Sequence, residues 1–169
     1  LRSVQELIPE IDGTYKTNAT VPARAIAGIS YGGYNAAYFC ANATEYLHNF
    51  GMLSPILHPV GDYSIDSELQ ATNLDDLKIY MSYGIFDTRE ITYFNRIKSI
   101  LDLKGKTFDS EVVSDGHTWS NWSGVIGNVL KYFFGQEITT PLTLVSPNGG
   151  DVLIQNDEIT IAWEKGSAS

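Results

Sequence analysis

Short, continuous apolar runs alternate along this chain with longer stretches whose apolar positions recur every three or four residues. ARAIAGI (23–29), NFGMLSPIL (49–57), LKIYMSYG (77–84) and KTFDSEVV (106–113) are compact runs bounded by turn residues, the pattern of buried strands. Between them, residues 32–47 suit a helix, and 88–103 places apolar side chains at 91, 94, 97, 100 and 101 on one helical stripe. Residues 119–134 carry Trp122, Val125, Ile126, Val129, Leu130 and Phe133 in the same way. Ahead of the first strand, Leu1, Val4, Ile8 and Ile11, with Leu7 beside them, predict a helix over 1–12 in which Pro9 should weaken or end the last turn. Residues 13–22 are polar and loop-like. Strands that alternate with helices predict an α/β domain built on a mostly parallel sheet.

After Gly135 the texture changes. Proline punctuation, an SPNGG turn and alternation of Ile159, Ile161 and Trp163 indicate antiparallel β structure. The chain therefore divides into an α/β domain over 1–135, a linker over 136–141 and a β-rich segment over 142–169. A β-sandwich takes about 100 residues, so this segment is expected to be the truncated start of such a module.

The formal charge is −9, with no Lys/Arg cluster, which would repel a phosphate backbone or an anionic membrane surface. Nucleic acid and membrane are accordingly not expected partners. Cys40 is the only cysteine, so neither an internal disulfide nor a multi-cysteine metal site can form; no metal and no cofactor is expected. No apolar run approaches the about 18 residues that span a bilayer. No secretory signal opens the chain, but Leu1 falls inside a helical pattern, and a piece of a longer protein is expected.

The candidate chemistry begins at AGISYGGY (27–34), where G-x-S-x-G joins a strand to a helix. In a nucleophile elbow the serine occupies a strained turn that lifts its Oγ above the sheet edge. Gly28 and Gly32 are expected there because a Cβ two residues from the serine on either side would collide with the turn. Ser30 is thus the candidate nucleophile, and the N–H of Tyr31 is a candidate oxyanion donor at the start of the next helix.

A serine needs a base, and there are three histidines. His48 precedes a strand and His58 precedes Pro59 in a polar loop, so both read as surface residues. His117, in SDGHTWSNW, follows the fourth strand at the carboxyl edge, where α/β folds assemble their sites. Asp87 ends GIFD directly after the third strand and is the candidate acid, its competing role being an N-cap for the next helix. Asp115 is too near His117 along the chain to orient its ring. Asp62, Asp66, Asp75, Asp76, Asp102 and Asp109 fall in loops or on the wrong side of elements. The order Ser30, Asp87, His117 is the order of an α/β-hydrolase triad.

Residues 5–39, with SYGIFD (82–87) and DGHTWSNW (115–122), resemble the esterase D-like branch of the α/β-hydrolases, which holds feruloyl esterases, acetylxylan esterases and the enterochelin esterase group. The resemblance covers roughly 1–135 and implies Ser30 as nucleophile, His117 as base and Asp87 as acid. Tyr31 departs from it, where many relatives carry methionine. It also implies that only the C-terminal half of the fold is present, since the elbow of an eight-stranded hydrolase sheet follows its fifth strand. Two expectations follow from that implication. The second oxyanion donor, normally from the loop after the third strand, would be missing, leaving the chain alone inactive or weakly active. The strand at 23–29 would be an apolar edge.

The SPNGG segment resembles the start of a β-sandwich module appended to secreted proteins that act on polysaccharides. It implies cell-wall esters as substrate and an extracellular location, where the sequons at Asn18, Asn42 and Asn121 could be glycosylated. The expected function is a serine esterase that deacylates plant cell-wall polysaccharide, with Trp119 a candidate wall of the acyl pocket and Trp122 expected in the core. The alternatives are an esterase or thioesterase on another small acyl substrate, such as a siderophore ester, and a non-catalytic scaffold that binds carbohydrate.

Overall fold

The computed structural model describes residues 2–56, 65–135, 143–146 and 162–164, with side chains left aside in the last two stretches. The chain forms two compact units, Leu1–Phe134 and Gly135–Ser169. The first contains α1 (Arg2–Thr14), β1 (Ala25–Ile29), α2 (Tyr31–Asn42), β2 (Asn49–Leu53), α3 (Ile65–Ala71), β3 (Lys78–Gly84), α4 (Glu90–Leu103), β4 (Asp109–Val113) and α5 (Trp119–Phe134). The second contains β5 (Thr143–Ser146) and β6 (Ala162–Glu164).

The four strands of the first unit are all parallel and lie in the order β1-β2-β3-β4. Because each crossover steps to the next strand in the same direction and crossovers are right-handed, α2, α3 and α4 must cover the same face. Strand alternation divides the core accordingly. Phe50, Met52, Ile79 and Met81 join Ala37, Cys40, Leu69, Ile97 and Leu101 on the α2–α4 side. Leu53 and Tyr80 join Trp122, Val125, Val129 and Phe133 of α5 on the other. The result is a three-layer α/β sandwich whose strand ends share one rim. Cys40 is fully buried, which pushes its thiol up to about 12 and makes it inert.

Several boundaries differ from the sequence expectation. α1 runs through Pro9 to Thr14. Pro9 deletes one backbone bond, but Val4 and Ile8 pack on the core and hold the helix across it. α2 stops at Asn42, whose amide Nδ2 turns back to the Tyr38 carbonyl at 3.1 Å. α3 was not anticipated; its seven residues bury only Ile65 and Leu69, too short a pattern to stand out. β1 is an edge strand, as expected, and is therefore half-exposed rather than buried on both faces. β4 begins only at Asp109 and pairs with β3 alone.

In the second unit β5 and β6 pair antiparallel, Leu144 opposite Trp163. Residues 147–150 of the SPNGG turn, together with Ile159 and Ile161, lie outside the described residues. Among the described residues no helix is long and apolar enough to cross a membrane.

Candidate active site

β1 ends at Ile29, and Ser30 follows at φ 59° and ψ −118°, in the left-handed half of backbone space that a non-glycine residue occupies only when its surroundings enforce it. The enforcement is visible. The Ser30 N–H donates to the Leu53 carbonyl at 2.9 Å, and its own carbonyl accepts from Tyr34 at 3.1 Å and Ile56 at 3.2 Å. The serine is thus held by its own strand, by the end of β2 and by the first turn of α2. Tyr31 is the first residue of α2, which puts its N–H at the positive end of the helix dipole.

The elbow glycines divide unequally. A Cβ on Gly28 would overlap the backbone of Gly32, and one on Gly33 would lie 2.9 Å from the Leu53 carbonyl oxygen and 3.0 Å from Pro55 Cα. A Cβ on Gly32 would meet nothing within 4 Å. The expectation that Gly32 is glycine to make room for its own Cβ is therefore corrected: Gly32 supplies the backbone that crowds Gly28, and the second sterically required glycine is Gly33.

Asp87 and His117 come from loops that are stitched together. Ile85 N–H donates to the Val113 carbonyl at 2.9 Å and Phe86 N–H to the Asp115 carbonyl at 3.1 Å, so the loop after β3 continues pairing with the loop after β4. Gly84 makes this approach possible, because a Cβ there would overlap the Asp115 carbonyl and sit 2.8 Å from Asn121 Nδ2. In consequence His117 Nδ1 lies 2.9 Å from Asp87 Oδ1. The Asp87 side chain is 1% exposed and the imidazole 32%, the combination of a buried acid and an accessible ring. Asp87 does not cap α4 with its side chain; only its carbonyl participates, accepting from Ile91 at 3.1 Å.

The ring's other neighbour is Trp122, edge-on with centroids 4.9 Å apart. Trp122 is in the core as expected, and its Nε1 also donates to the Ser54 hydroxyl at 3.2 Å. Ser54, at φ 44°, ends β2 immediately after Leu53, the residue that accepts from Ser30. Trp122 and Ser54 thereby link the imidazole to the strand end that holds Ser30. Among the described residues no direct hydrogen bond joins the Ser30 hydroxyl to His117. Trp119 opens α5 at 75% exposure against Trp122, and Phe86 stands 69% exposed next to Asp87 in the chain.

The remaining candidates fall elsewhere. His48 lies before β2, at the opposite rim, where its carbonyl accepts from Lys78. His58 and Asp62 lie outside the described residues. Asp115 turns to its own loop, accepting from the Gly116 N–H at 2.6 Å. That bond, followed by those from Ser120 and Thr118, holds its carboxyl below the ordinary value. Asn121 is fully buried and donates to the Gly116 carbonyl at 2.9 Å, so in the folded chain it is closed to glycosylation.

One acidic residue was missed. Glu90, the first residue of α4, is 3% exposed, and its Oε1 lies 3.8 Å from His117 Nδ1. One oxygen of Asp87, one of Glu90 and a ring nitrogen of His117 all lie within 4.8 Å of one another. Among the described residues this cluster is also compact enough for a cation; the Nδ1–Oδ1 hydrogen bond accounts for its geometry without one. Burial raises the Glu90 carboxyl above its ordinary 4.5, and the neighbouring Asp87 carboxyl pushes it the same way. The backbone bond at its own amide and the charge of a protonated His117 act in the opposite direction. A carboxyl raised on folding stabilises the fold fully below the unfolded value of about 4.5 and loses that contribution as pH climbs through the folded value. Glu90→Gln, which cannot ionise, is therefore expected to match the wild type in thermal midpoint near pH 4 and to exceed it once the pH has risen through the folded value. Parallel melting curves across that range check the sign.

Residues 3–132 match the family described as "Putative esterase". The chain belongs to this esterase family. Among solved structures it is similar to a ferulic acid esterase, with a TM-score of 0.67 at 18% identity over 76% of this chain and 58% of that one. It is also similar to the enterobactin esterase FES from Shigella flexneri, at 0.69 and 20% over 79% of this chain and 36% of that one. A third is the feruloyl esterase module from Clostridium thermocellum complexed with sinapinate, at 0.63 and 18% over 76% of this chain and 55% of that one. No curated protein matches. The four-stranded parallel sheet with its flanking helices is thus part of an α/β-hydrolase fold, and the chain spans 58% and 36% of the first two structures it resembles.

Proposed function

We propose that this family member is a serine carboxylic-ester hydrolase that works through Ser30, His117 and Asp87. The observation that carries the reading is the 2.9 Å hydrogen bond from His117 Nδ1 to a buried Asp87, on the same strand-end rim as a serine in strained backbone. With Nδ1–H donating to Asp87, the ring's Nε2 is left as the acceptor. Ser30 Oγ attacks the ester carbonyl as Nε2 takes its proton, and the imidazolium, stabilised by Asp87, returns that proton to the leaving alcohol. Water then attacks the acyl-enzyme by the same route in reverse. The Tyr31 N–H, at the start of α2, faces the developing oxyanion.

The preferred substrate is an aryl or acetyl ester of plant cell-wall polysaccharide, acting outside the cell. Phe86 and Trp119 present exposed aromatic faces on the chain segments that carry Asp87 and His117, and such faces suit an aryl acyl group. The similarity to an enterobactin esterase favours a second reading, an aryl siderophore ester, which the same two residues would serve.

The test is mass spectrometry after exposure of the chain to an organophosphonate, followed by a panel of feruloyl, acetyl and catecholate esters. One adduct per chain on Ser30 is expected. A folded chain that stays unlabelled while binding glycan would replace the hydrolase by the scaffold.

A further inference from the structure

The Asp87 carboxylate has two oxygens, and the triad uses one. Oδ1 accepts from His117 Nδ1; Oδ2 is buried and has no hydrogen-bond donor among the described residues. Glu90 Oε1 is in the same condition, buried and without a donor. Two buried acceptors from adjoining acids, both lacking a donor, are costly if both acids are ionised. One proton shared between them removes both deficits and the like-charge repulsion.

Among the described residues, few charged groups lie near Glu90. Asp87 lies on its N-terminal side, His117 reaches it from the loop after β4, and the Arg89 guanidinium stands 3.9 Å from Oε1. That guanidinium is 82% exposed, so water screens its pull on the carboxyl. Position matters as well as charge. Glu90 belongs to α4, whose buried face (Phe94, Ile97, Ile100, Leu101) is anchored in the core, whereas Asp87 sits on the loop ahead of it. A bond between the two would tie the acid of the triad to a rigid element.

We propose that Glu90 is a positioning residue of the triad: its buried carboxyl donates a shared proton to the outer oxygen of Asp87, fixing that carboxylate so that the inner oxygen faces His117 Nδ1–H. This deepens the serine-esterase reading and rests on it. Two consequences follow. His117 keeps a single tautomer. Asp87 cannot rotate its carboxylate away when the imidazolium forms.

The experiment compares wild type, Glu90→Gln and Glu90→Leu by proton and carbon-13 NMR, with organophosphonate labelling measured alongside. The Gln amide can donate to Asp87; the Leu side chain cannot. A low-field His117 Nδ1–H resonance is expected in wild type and Glu90→Gln and is expected to be lost in Glu90→Leu. Labelling of Ser30 should slow at least tenfold in Glu90→Leu, and Glu90→Gln should recover most of that loss. The carboxyl-carbon titration of Glu90 in the wild type should show it protonated well above the pH at which exposed glutamates ionise, a readout that stands even if Glu90→Leu does not fold.

A Glu90→Leu variant that keeps the low-field resonance, a Glu90→Gln variant as impaired as Glu90→Leu, or an ordinary Glu90 titration would each overturn the proposal. Absence of labelling in wild type, with the resonance pattern intact, would instead remove the esterase reading and leave the Glu90–Asp87 bond standing.

Discussion

Ser30→Ala is expected to abolish organophosphonate labelling altogether, and His117→Ala to slow it by about 10⁴-fold or more. In serine hydrolases the nucleophile and base act as a unit, and losing either costs on the order of 10⁶ in turnover, whereas the acid alone costs about 10⁴. Asp87→Ala should therefore fall between wild type and His117→Ala, and the Asp87→Ala/His117→Ala double variant should be no slower than His117→Ala alone. That non-additivity separates a triad from three independent surface residues, whose effects would multiply. The geometry makes Asp87 the most diagnostic of the three: it is almost fully buried, and the one donor to its carboxylate among the described residues is His117. Labelling that survives Ser30→Ala, or an His117→Ala chain that reacts at the wild-type rate, would defeat the assignment.

The parallel sheet and the loops that carry the site were legible because buried parallel strands announce themselves as bounded apolar runs. Their ends were less so. The pattern of NFGMLSPIL predicts a strand to residue 57, yet β2 stops at Leu53 because Ser54 turns to φ 44° ahead of Pro55. Pro55, which has no N–H to give to the ladder of an interior strand, is the signal that could have placed that boundary. At the other edge, β4 alternates exposed and half-buried positions with one neighbouring strand, and the polar start of KTFDSEVV therefore stays outside it.

Glu90 was illegible for a different reason. An acid in the first turn of a helix is ordinarily a solvated partner of the dipole, and nothing in TREIT distinguishes this one. Its burial comes from the loop after β4 folding back through Phe86 and Asp115, a contact between residues 29 apart along the chain. Ser54 and Trp122 were hidden likewise. A serine at a strand end and a tryptophan on an apolar helix face carry no chemical signal until packing places one against the other.

The elbow offers a second large effect and a contrast within a single motif. Gly28→Ala is expected to lower stability by about 3 kcal/mol or more, a drop of roughly 10 °C in thermal midpoint for a unit this size. Its Cβ would enter the Gly32 backbone, and that backbone cannot yield without unseating the first turn of α2, on which the Ser30 carbonyl bond to Tyr34 depends. Gly32→Ala should do the reverse. The added methyl meets nothing within 4 Å, and φ there is not in the left-handed range. Replacing glycine inside a helix removes unfolded-state entropy, so a gain of about 0.4–1 kcal/mol is expected. Opposite signs four residues apart would mean that the motif's second glycine is present for the approach of its backbone, while the first is present for want of a side chain. Equal losses at both positions would show that the strand and helix press on each other symmetrically around Ser30, and the strain on the serine would then have to be traced to Gly33 and the end of β2 alone.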